Sequence, residues 1–423
     1  MMVQTSPSPE NLRWNLRALY WDVIWYGVLA GSAVAFLAVY AARLGASSLQ
    51  IGLLSAGPAI VNLAITLPAG RWLEGRHLAR ATFLSSVWQR IGFVIIVALP
   101  WFLDEQARVW GLVWITLIMS VPGTLLSIAF NAVFAEVVPA EWRARAVGWR
   151  NALVAVSVTL TTILCGRILD LVAPPYNYQI VFLIGGVGGM MSSYYLGRIR
   201  LASAPPLAVQ ARKSMRQWGE TLRLGWGQLT RPRAKGKSLL RLDLLRGPFG
   251  LFMLSYLAFY ACQYLGLPIF PLFYVRELDL TDGAISVGGA LFHGTMMLAS
   301  LCLNRVTLRL GNRKMLVASV TLFGLYPLIL GFAQDAWLYY IASVVGGVVF
   351  AFLNGAMINR LMERVPADDR PAHMTLHNLA LNLGILAGSL LGPALGDWLG
   401  LREALYLTAA LRMLAGLLFF FLG

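Results

Sequence analysis

Long apolar runs, separated by short polar segments, dominate the chain. A helix that crosses a bilayer needs about 20 mostly apolar residues, and the sequence of 423 residues contains twelve runs of that kind. They cover roughly residues 19–42, 50–70, 81–102, 109–133, 147–170, 178–197, 249–274, 284–304, 314–333, 336–360, 375–398 and 403–422. The pattern predicts an all-α integral membrane protein with twelve transmembrane helices.

The composition agrees with the pattern of runs. Hydrophobic residues make up 58% of the chain and charged residues only 13%. Soluble domains average about 45–50% apolar and about 25% charged residues. So few charges cannot cover that much apolar surface in water, and a soluble enzyme and an unstructured chain are both excluded.

The net charge of +15 has two candidate explanations, nucleic-acid binding and membrane topology. Arginine and lysine concentrate in alternate loops and in the polar stretch 198–247. Because cytoplasmic loops of membrane proteins collect these residues, we assign the charge to topology and expect no nucleic-acid partner. The protein is predicted to lie in the cytoplasmic (inner) membrane, with both termini in the cytoplasm.

The two halves of the chain resemble each other. Residues 136–143 and 363–370 share the pattern Glu-x-Val-Pro-Ala-acid-x-Arg, and the same offset pairs Asp170 with Asp397. Parallel repeats of this kind characterise transporters that rock one half against the other around a site at the membrane midplane. The sequence predicts two pseudo-symmetric six-helix bundles at 1–197 and 248–423, joined by a basic cytoplasmic linker at 198–247.

The loops after the second and eighth runs carry a partial family signature. The first loop keeps Gly70, an acid at Glu74 and Arg80, and the second keeps Gly311 and the basic pair that follows it. On these motifs and the repeat, the whole chain resembles the major facilitator superfamily, whose loops read Gly-x3-Asp-x2-Gly-Arg-x-Gly-Arg. The first copy has His77 in place of a glycine, and the second lacks the acid.

These loops have a physical use as a reversible latch. A glycine allows a tight turn, and the acid and arginines can pair with charges and helix ends of the opposite half when the cytoplasmic side is closed. Membrane topology alone would also explain the arginines, but it gives no reason for an acid. The candidate latch residues are Gly70, Glu74, Arg80, Glu136, Gly311, Arg313, Lys314 and Glu363.

Glycines and prolines predict two local features of the second half. Gly384, Gly388, Gly392 and Gly396 recur at a spacing of four in span eleven, which places them on one face and allows a close helix pair. A similar glycine and proline element belongs to span five in the superfamily's antiporters, so its position here weakens an antiporter assignment. Two prolines, at 268 and 271, predict a bend near the outer end of span seven.

Few ionisable residues lie inside the predicted spans, where they usually mark a transport path or a structural pair. Asp22 and Arg90 are the candidates for coupling. Asp22 either titrates a proton or binds a cation, or it forms a static ion pair with Arg90. Arg167 and Asp170 are spaced to pair with each other. The superfamily's third and twelfth spans usually lie outside the cavity, so Arg90 and Arg412 are doubtful ligands, and Arg412 has no predicted partner.

The candidates for the substrate cavity are mostly neutral. Aromatic walls with few hydrogen-bonding groups suit an amphiphilic or largely apolar solute. Any one of these side chains could instead face lipid or pack against a neighbouring helix. The candidates are Tyr26, Asn62, Tyr256, Tyr260, Gln263, Tyr264, His293, Asn354, Asn378 and Asn382.

Nothing in the sequence predicts an enzyme or a metal site. The three cysteines lie inside apolar runs without metal-ligand spacing, and His373 and His377 lack a third ligand. A phosphate-binding Gly-x4-Gly-Lys-Ser/Thr loop is missing from the sequence. We therefore expect no cofactor, with a proton gradient as the driving force.

The favoured hypothesis is a secondary active transporter that works by alternating access and performs proton-coupled export of a small amphiphilic molecule. The Arg-x2-Gln-Gly pattern common in proton-coupled drug exporters is absent from span four, so an uptake symporter or a uniporter for a metabolite stays an alternative. A membrane assembly or lipid-handling protein with the same fold is the alternative from another class. The expected partners are a small-molecule substrate and the lipid bilayer, and we expect a monomer.

Overall fold

A computed structural model describes residues 9–73, 76–201, 242–365 and 370–422. Within these ranges it contains twelve helices that are long and apolar enough to cross a membrane. The predicted all-α fold with twelve spans is confirmed. Most of the linker predicted at 198–247 lies outside the described residues, and the predicted domain boundaries stay a prediction.

Six spans form the N-terminal half. Span one consists of the helix Pro9–Leu29, a π-helical turn Ala30–Val34 and the helix Ala35–Arg43. Spans two to six are the helices Ser48–Leu73, Leu78–Phe102, Glu105–Val137, Ala140–Leu171 and Tyr176–Gly197.

Six further spans form the C-terminal half, after a short 3-10 helix Leu242–Arg246. Span seven consists of the helices Pro248–Gly266 and Ile269–Leu272 and a π-helical turn Phe273–Glu277. Span eight is Asp282–Leu310, and span nine consists of Asn312–Leu322 and Leu325–Gly331. Spans ten to twelve are Ala336–Arg364, Arg370–Leu399 and Leu401–Leu422.

The helices extend beyond the apolar runs, most of all at span one. Its apolar run begins near residue 19, whereas the helix begins at Pro9. Asn15 holds this extension in place, because its side chain donates to the Arg200 carbonyl at 2.9 Å and accepts from the Arg200 N–H at 2.9 Å. Apolar periodicity therefore marks the part of a helix that meets lipid, and not the end of the helix.

The halves meet along two helix pairs, span five with span eight and span two with span eleven. We call the end of the bundle that carries residues 9 and 422 the terminus face, and the opposite end the far face. The loops after spans one, three, five, seven, nine and eleven lie at the far face. The bend predicted in span seven lies between Gly266 and Ile269, close to that face.

The glycines of span eleven pack against span seven. A Cβ atom built on Gly384 would lie 2.5 Å from the Tyr260 Cβ, and one on Gly388 or Gly392 would overlap a backbone carbonyl of span seven. Gly396 differs from the prediction, because its nearest neighbour is Leu401 at the start of span twelve. The drift of a 3.6-residue helix over twelve residues turns the fourth glycine away from the shared seam.

We expect Gly388→Ala to lower the stability of the protein by about 1–3 kcal/mol, because the added methyl group meets backbone that cannot move away easily. Gly294→Ala is the matched control, since no atom lies within 4 Å of the position of its Cβ and alanine is the better helix former. Thermal unfolding in detergent measures both. Equal melting temperatures for the two variants would show that the seam is not closely packed.

Candidate functional site

A central cavity of about 1100 Å³ lies between the two halves. Its wall includes residues from spans one to five and from spans seven to twelve. The wall reaches Tyr274 near the far face, and it reaches Thr66 and Asn131 within about two helical turns of the terminus-face ends of their helices. The internal repeat predicts a site between the two halves, and this cavity is the candidate for it.

The N-terminal half contributes small polar groups to the wall. Thr124 donates to the Asn62 side chain at 2.5 Å, which joins span four to span two. Thr162 donates to the Gly31 carbonyl at 3.1 Å and joins span five to span one. Gln89 also lines the cavity. These groups offer amide and hydroxyl hydrogen bonds to a solute without a formal charge.

The C-terminal half contributes aromatic and amide side chains. Gln263 and Tyr264 line the cavity just before the break in span seven. The His293 Nδ1 lies 2.9 Å from the Gly289 carbonyl oxygen of its own helix. Asn382 donates to the Asn378 carbonyl at 2.8 Å. The wall is therefore amphiphilic on this side.

The structure places six of the ten predicted cavity residues on the wall: Asn62, Gln263, Tyr264, His293, Asn378 and Asn382. Four lie elsewhere. Tyr256 is fully buried within the C-terminal half and donates to the Met357 carbonyl at 2.8 Å, and the Tyr260 hydroxyl lies 3.0 Å from the His377 Nε2. Tyr26 and Asn354 have exposed side chains that do not line the cavity. An aromatic band winds around a helix, so only part of it can face one cavity.

Three buried tyrosines form the far-face end of the cavity. The hydroxyls of Tyr274 and Tyr326 lie 2.6 Å apart, and the rings of Tyr274 and Tyr339 lie 4.6 Å apart. Tyr339 donates to the Ile285 carbonyl at 2.9 Å. Sequence reasoning missed Tyr326 and Tyr339 as wall residues, and the only available signal was a hydroxyl within an apolar run.

Asp282 holds the halves together at the far face. It opens span eight in the C-terminal half, and its carboxylate lies 3.2 Å from the Arg43 guanidinium of span one. The Tyr178 hydroxyl of span six donates to the other carboxylate oxygen at 2.8 Å. Arg43 also donates to the Leu280 carbonyl. Asp282, a buried acid, thus has two partners from the opposite half.

Two repeat-related aspartates add further contacts at the far face. Asp170, at the end of span five, accepts from the Gly283 N–H at 2.9 Å. Asp397, at the end of span eleven, accepts from the Ser48 hydroxyl at 2.5 Å. Each aspartate therefore binds the first turn of a helix in the opposite half. The predicted pairing of Asp170 with Arg167 is wrong, because Asp170 binds span eight instead.

The described polar contacts between the halves thus cluster at the far face. The far face is the closed end of the cavity, and the wall extends from there towards the terminus face.

Asp22 is buried inside the N-terminal half and does not line the cavity. Its carboxylate lies 3.5 Å from the Arg150 Nη2 of span five and accepts from the Ser192 hydroxyl of span six. The predicted Asp22–Arg90 pair is not a direct contact, because Arg90 donates to the Ser193 hydroxyl at 2.8 Å, but the two charges still act on each other. Asp22 therefore ties spans one, five and six together.

Arg412 lies on the cavity wall, contrary to the expectation for a twelfth span. Its side chain is 1% exposed. The Nη2 donates to the Gln263 carbonyl at 2.6 Å, and the Nε donates to the Cys262 carbonyl at 3.4 Å. The guanidinium carbon lies 4.6 Å from the centre of the Phe323 ring. Sequence reasoning found this residue but no partner, because its partners are backbone carbonyls.

The predicted latch residues of the C-terminal half bind within their own half. Arg313 donates to the Phe420 carbonyl at 2.8 Å. Glu363 accepts from Asn312 at 2.5 Å and from Arg360 at 2.9 Å. Gly311 has φ of +75° in the turn between spans eight and nine, a conformation that favours glycine. Lys314 has an exposed side chain.

The latch residues of the N-terminal half lie at the same face. Gly70 is part of span two, and Arg80 and Glu136 have exposed side chains near the ends of spans three and four. Glu74 lies outside the described residues. The latch stays a prediction for a conformation in which the terminus face is closed.

Residues 252–423 match the family model described as the Major Facilitator Superfamily. A bacterial transporter described as a homologue of the human lysosomal transporter Spinster, solved in an inward-facing and occupied conformation, superposes with a TM-score of 0.69 and 14% identity. The superposition covers 98% of this chain and 97% of that one. The chain shares the fold of that transporter over nearly its whole length, and the match to the superfamily's model covers its C-terminal half. The predicted resemblance to this superfamily is confirmed.

Two relatives match a shorter segment. Multidrug resistance protein 2 of Bacillus subtilis (strain 168) is 23% identical over 152 residues, which are 35% of this chain and 37% of that protein. Multidrug resistance protein MdtG of Salmonella paratyphi A (strain ATCC 9150 / SARB42) is 31% identical over 165 residues, which are 37% of this chain and 39% of that protein. The matches thus span less than half the length of these relatives.

These findings support a multi-pass membrane protein that shares its fold with known transporters. Among the residues that the structure describes, no group of three or more His, Cys, Asp or Glu side chains could hold a metal ion.

Proposed function

We propose that the protein is a secondary active transporter that moves a small amphiphilic molecule by alternating access. The observation that carries this proposal is the central cavity between two repeat-related halves, closed at one end by matching contacts from both halves. Asp170 and Asp397 make equivalent contacts from equivalent helices. Loosening these contacts would open the far face, and the latch loops would close the terminus face in exchange.

The orientation follows from charge. The terminus face carries the basic loops, so we place it in the cytoplasm of a cell with an inner membrane. The present conformation is then open to the cytoplasm and closed to the outside. Export is the favoured direction, because the two relatives above are named as multidrug resistance proteins.

The proposed coupling ion is the proton, and Asp22 is the proposed carrier. Protonation of Asp22 would remove the ion pair with Arg150. Arg150 lies on span five, which packs against span eight across the interface between the halves. A change at Asp22 can therefore reach the interface through span five, although Asp22 does not touch the cavity. Arg90 lies nearby in span three and binds Ser193.

Flux in proteoliposomes under an imposed pH gradient tests the proposal, with a panel of amphiphilic dyes as solutes. We expect Asp22→Asn to abolish the part of the flux that depends on the pH gradient, because the amide cannot release a proton. Asp104→Asn is the matched control, since Asp104 only caps span four through the Ala107 N–H and asparagine caps equally well.

The outcomes separate the alternatives. Gradient-driven flux that survives in Asp22→Asn would rule out Asp22 as the carrier. Flux that ignores the gradient in the unmodified protein would favour a uniporter. Flux that runs with the proton gradient into the cytoplasm would favour an uptake symporter. An absence of flux for every dye would favour the membrane assembly or lipid-handling protein.

A further inference from the structure

Arg412 is the one residue with a formal charge among the described residues that line the cavity. The described wall contains neither aspartate nor glutamate, and its other polar groups are hydroxyls, amides and one histidine. An ionisable residue at membrane depth is costly and usually marks a functional site. The electrostatic potential of this cavity is therefore positive around Arg412.

The hydrogen bonds of Arg412 are incomplete. Its Nη2 and Nε bind carbonyls of Gln263 and Cys262, but the buried Nη1 has no hydrogen-bond partner. A buried donor without a partner costs free energy, more so when it is charged. The charge itself is offset only in part, by the carbonyls at the end of a helix and by the Phe323 ring. Nη1 therefore has a hydrogen-bond donor without a partner, and the positive charge of the guanidinium is offset only in part.

We propose that Arg412 recognises an anionic group, a carboxylate or a similar oxyanion, on the transported molecule. This inference rests on the proposed function and narrows its substrate class to amphiphilic anions. The guanidinium is buried at the cavity wall, where its attraction for an anion in the cavity is weakly screened. Phe270 and Phe323, whose ring centres lie 5.7 and 4.6 Å from the guanidinium carbon and which line the cavity, would hold the apolar part of the molecule.

A purely structural role for Arg412 predicts something different. Its bonds to Cys262 and Gln263 cap the last carbonyls before the break in span seven, as basic side chains often do at helix ends. If that were its only role, its loss would lower the stability of the protein and weaken the binding of all solutes equally. Selectivity between an anion and its neutral analogue therefore separates the two roles.

The experiment compares two fluorescent probes of the same shape, pyrenebutyrate and pyrenebutyramide, binding to the full-length protein in lipid nanodiscs, with empty nanodiscs subtracted. We expect the unmodified protein to bind the carboxylate about tenfold more tightly or better, the factor that a hydrogen bond to a charged group supplies. Arg412→Gln should reduce that preference to about twofold or less. Arg412→Lys should retain part of it, because the charge remains.

Arg402→Gln is the matched control. Arg402 lies on the same span and also caps backbone carbonyls, with its Nη1 2.9 Å from the Ala333 oxygen, but it does not line the cavity. The Arg402→Gln substitution should lower the melting temperature and leave the preference for the carboxylate probe unchanged.

Equal binding of both probes by the unmodified protein would overturn the proposal. An Arg412→Gln variant that binds both probes more weakly, by the same factor, would also overturn it. The proposed transport is judged separately from these results, by flux in proteoliposomes. Loss of flux for all solutes would refute transport, whereas flux without a preference for the anion would refute only the role of Arg412.

Discussion

Asp282→Ala is expected to shift the protein from a closed to an open far face. Its carboxylate binds Arg43 and Tyr178 of the opposite half, and its side chain is 10% exposed. Removing one partner of a largely buried ion pair is destabilising, because the only acid that Arg43 then keeps among its described partners, beside the Leu280 carbonyl, is the exposed carboxylate of Asp279 at 4.0 Å. A loss of about 2 kcal/mol in the closed state corresponds to about a thirtyfold shift in the equilibrium between the two conformations.

Distances between spin labels at the far face measure this shift. Labels at positions 105 and 332 report on opposite halves, because Glu105 opens span four and Phe332 follows span nine, and both side chains are exposed. The three native cysteines are first replaced by serine or alanine. The long-distance population should grow in Asp282→Ala, and transport should slow because the closed state forms less often.

Asp335→Ala is the matched control for this change. Asp335 also lies at the far face, but it caps its own helix by accepting from the Trp337 N–H at 3.1 Å. It should leave the distances unchanged. An unaltered distance distribution in Asp282→Ala would mean that the far face is held closed by helix packing alone.

The sequence predicts the fold well because the bilayer imposes it. A minimum length of apolar helix gives the number of spans, and the repeat assigns them to two halves. The repeat even pairs Asp170 with Asp397, two residues that make equivalent contacts in the structure. The ends of helices are less predictable, as the start of span one at Pro9 shows, because polar residues continue a helix outside the membrane.

The site is less predictable, because the sequence does not say which face of a span meets the cavity. Tyr256 and Tyr264 both lie in one aromatic band, yet only Tyr264 reaches the wall. Arg412 binds carbonyls of span seven that are about 150 residues away in sequence. The prolines of span seven predict its bend, but they do not identify the Cys262 and Gln263 carbonyls as the ones that Arg412 binds, because only tertiary packing brings these groups together.

The second large effect is expected from a substitution at the interface between spans five and eight. A Cβ atom built on Gly166 would overlap both the Cβ and the hydroxyl of Ser286, so the two helices are in close contact at this point. Gly166→Ala should push span eight away from span five. We expect a loss of about 1–3 kcal/mol in the closed far face and a fall in transport of about tenfold or more, with Gly166→Leu more severe.

The test of this contact is rescue by a second substitution. Ser286→Gly removes the two nearest atoms that the new methyl group would meet and leaves the Gly283 Cα at 3.3 Å, so Gly166→Ala with Ser286→Gly should recover most of the transport and the short spin-label distances. Gly294→Ala is the control on span eight, since no atom lies within 4 Å of the position of its Cβ and the residue does not line the central cavity. Recovery in the double variant would show that transport depends on how closely spans five and eight approach. If the double variant were as impaired as Gly166→Ala alone, flexibility of the glycine backbone, and not the close approach, would be what transport requires at Gly166.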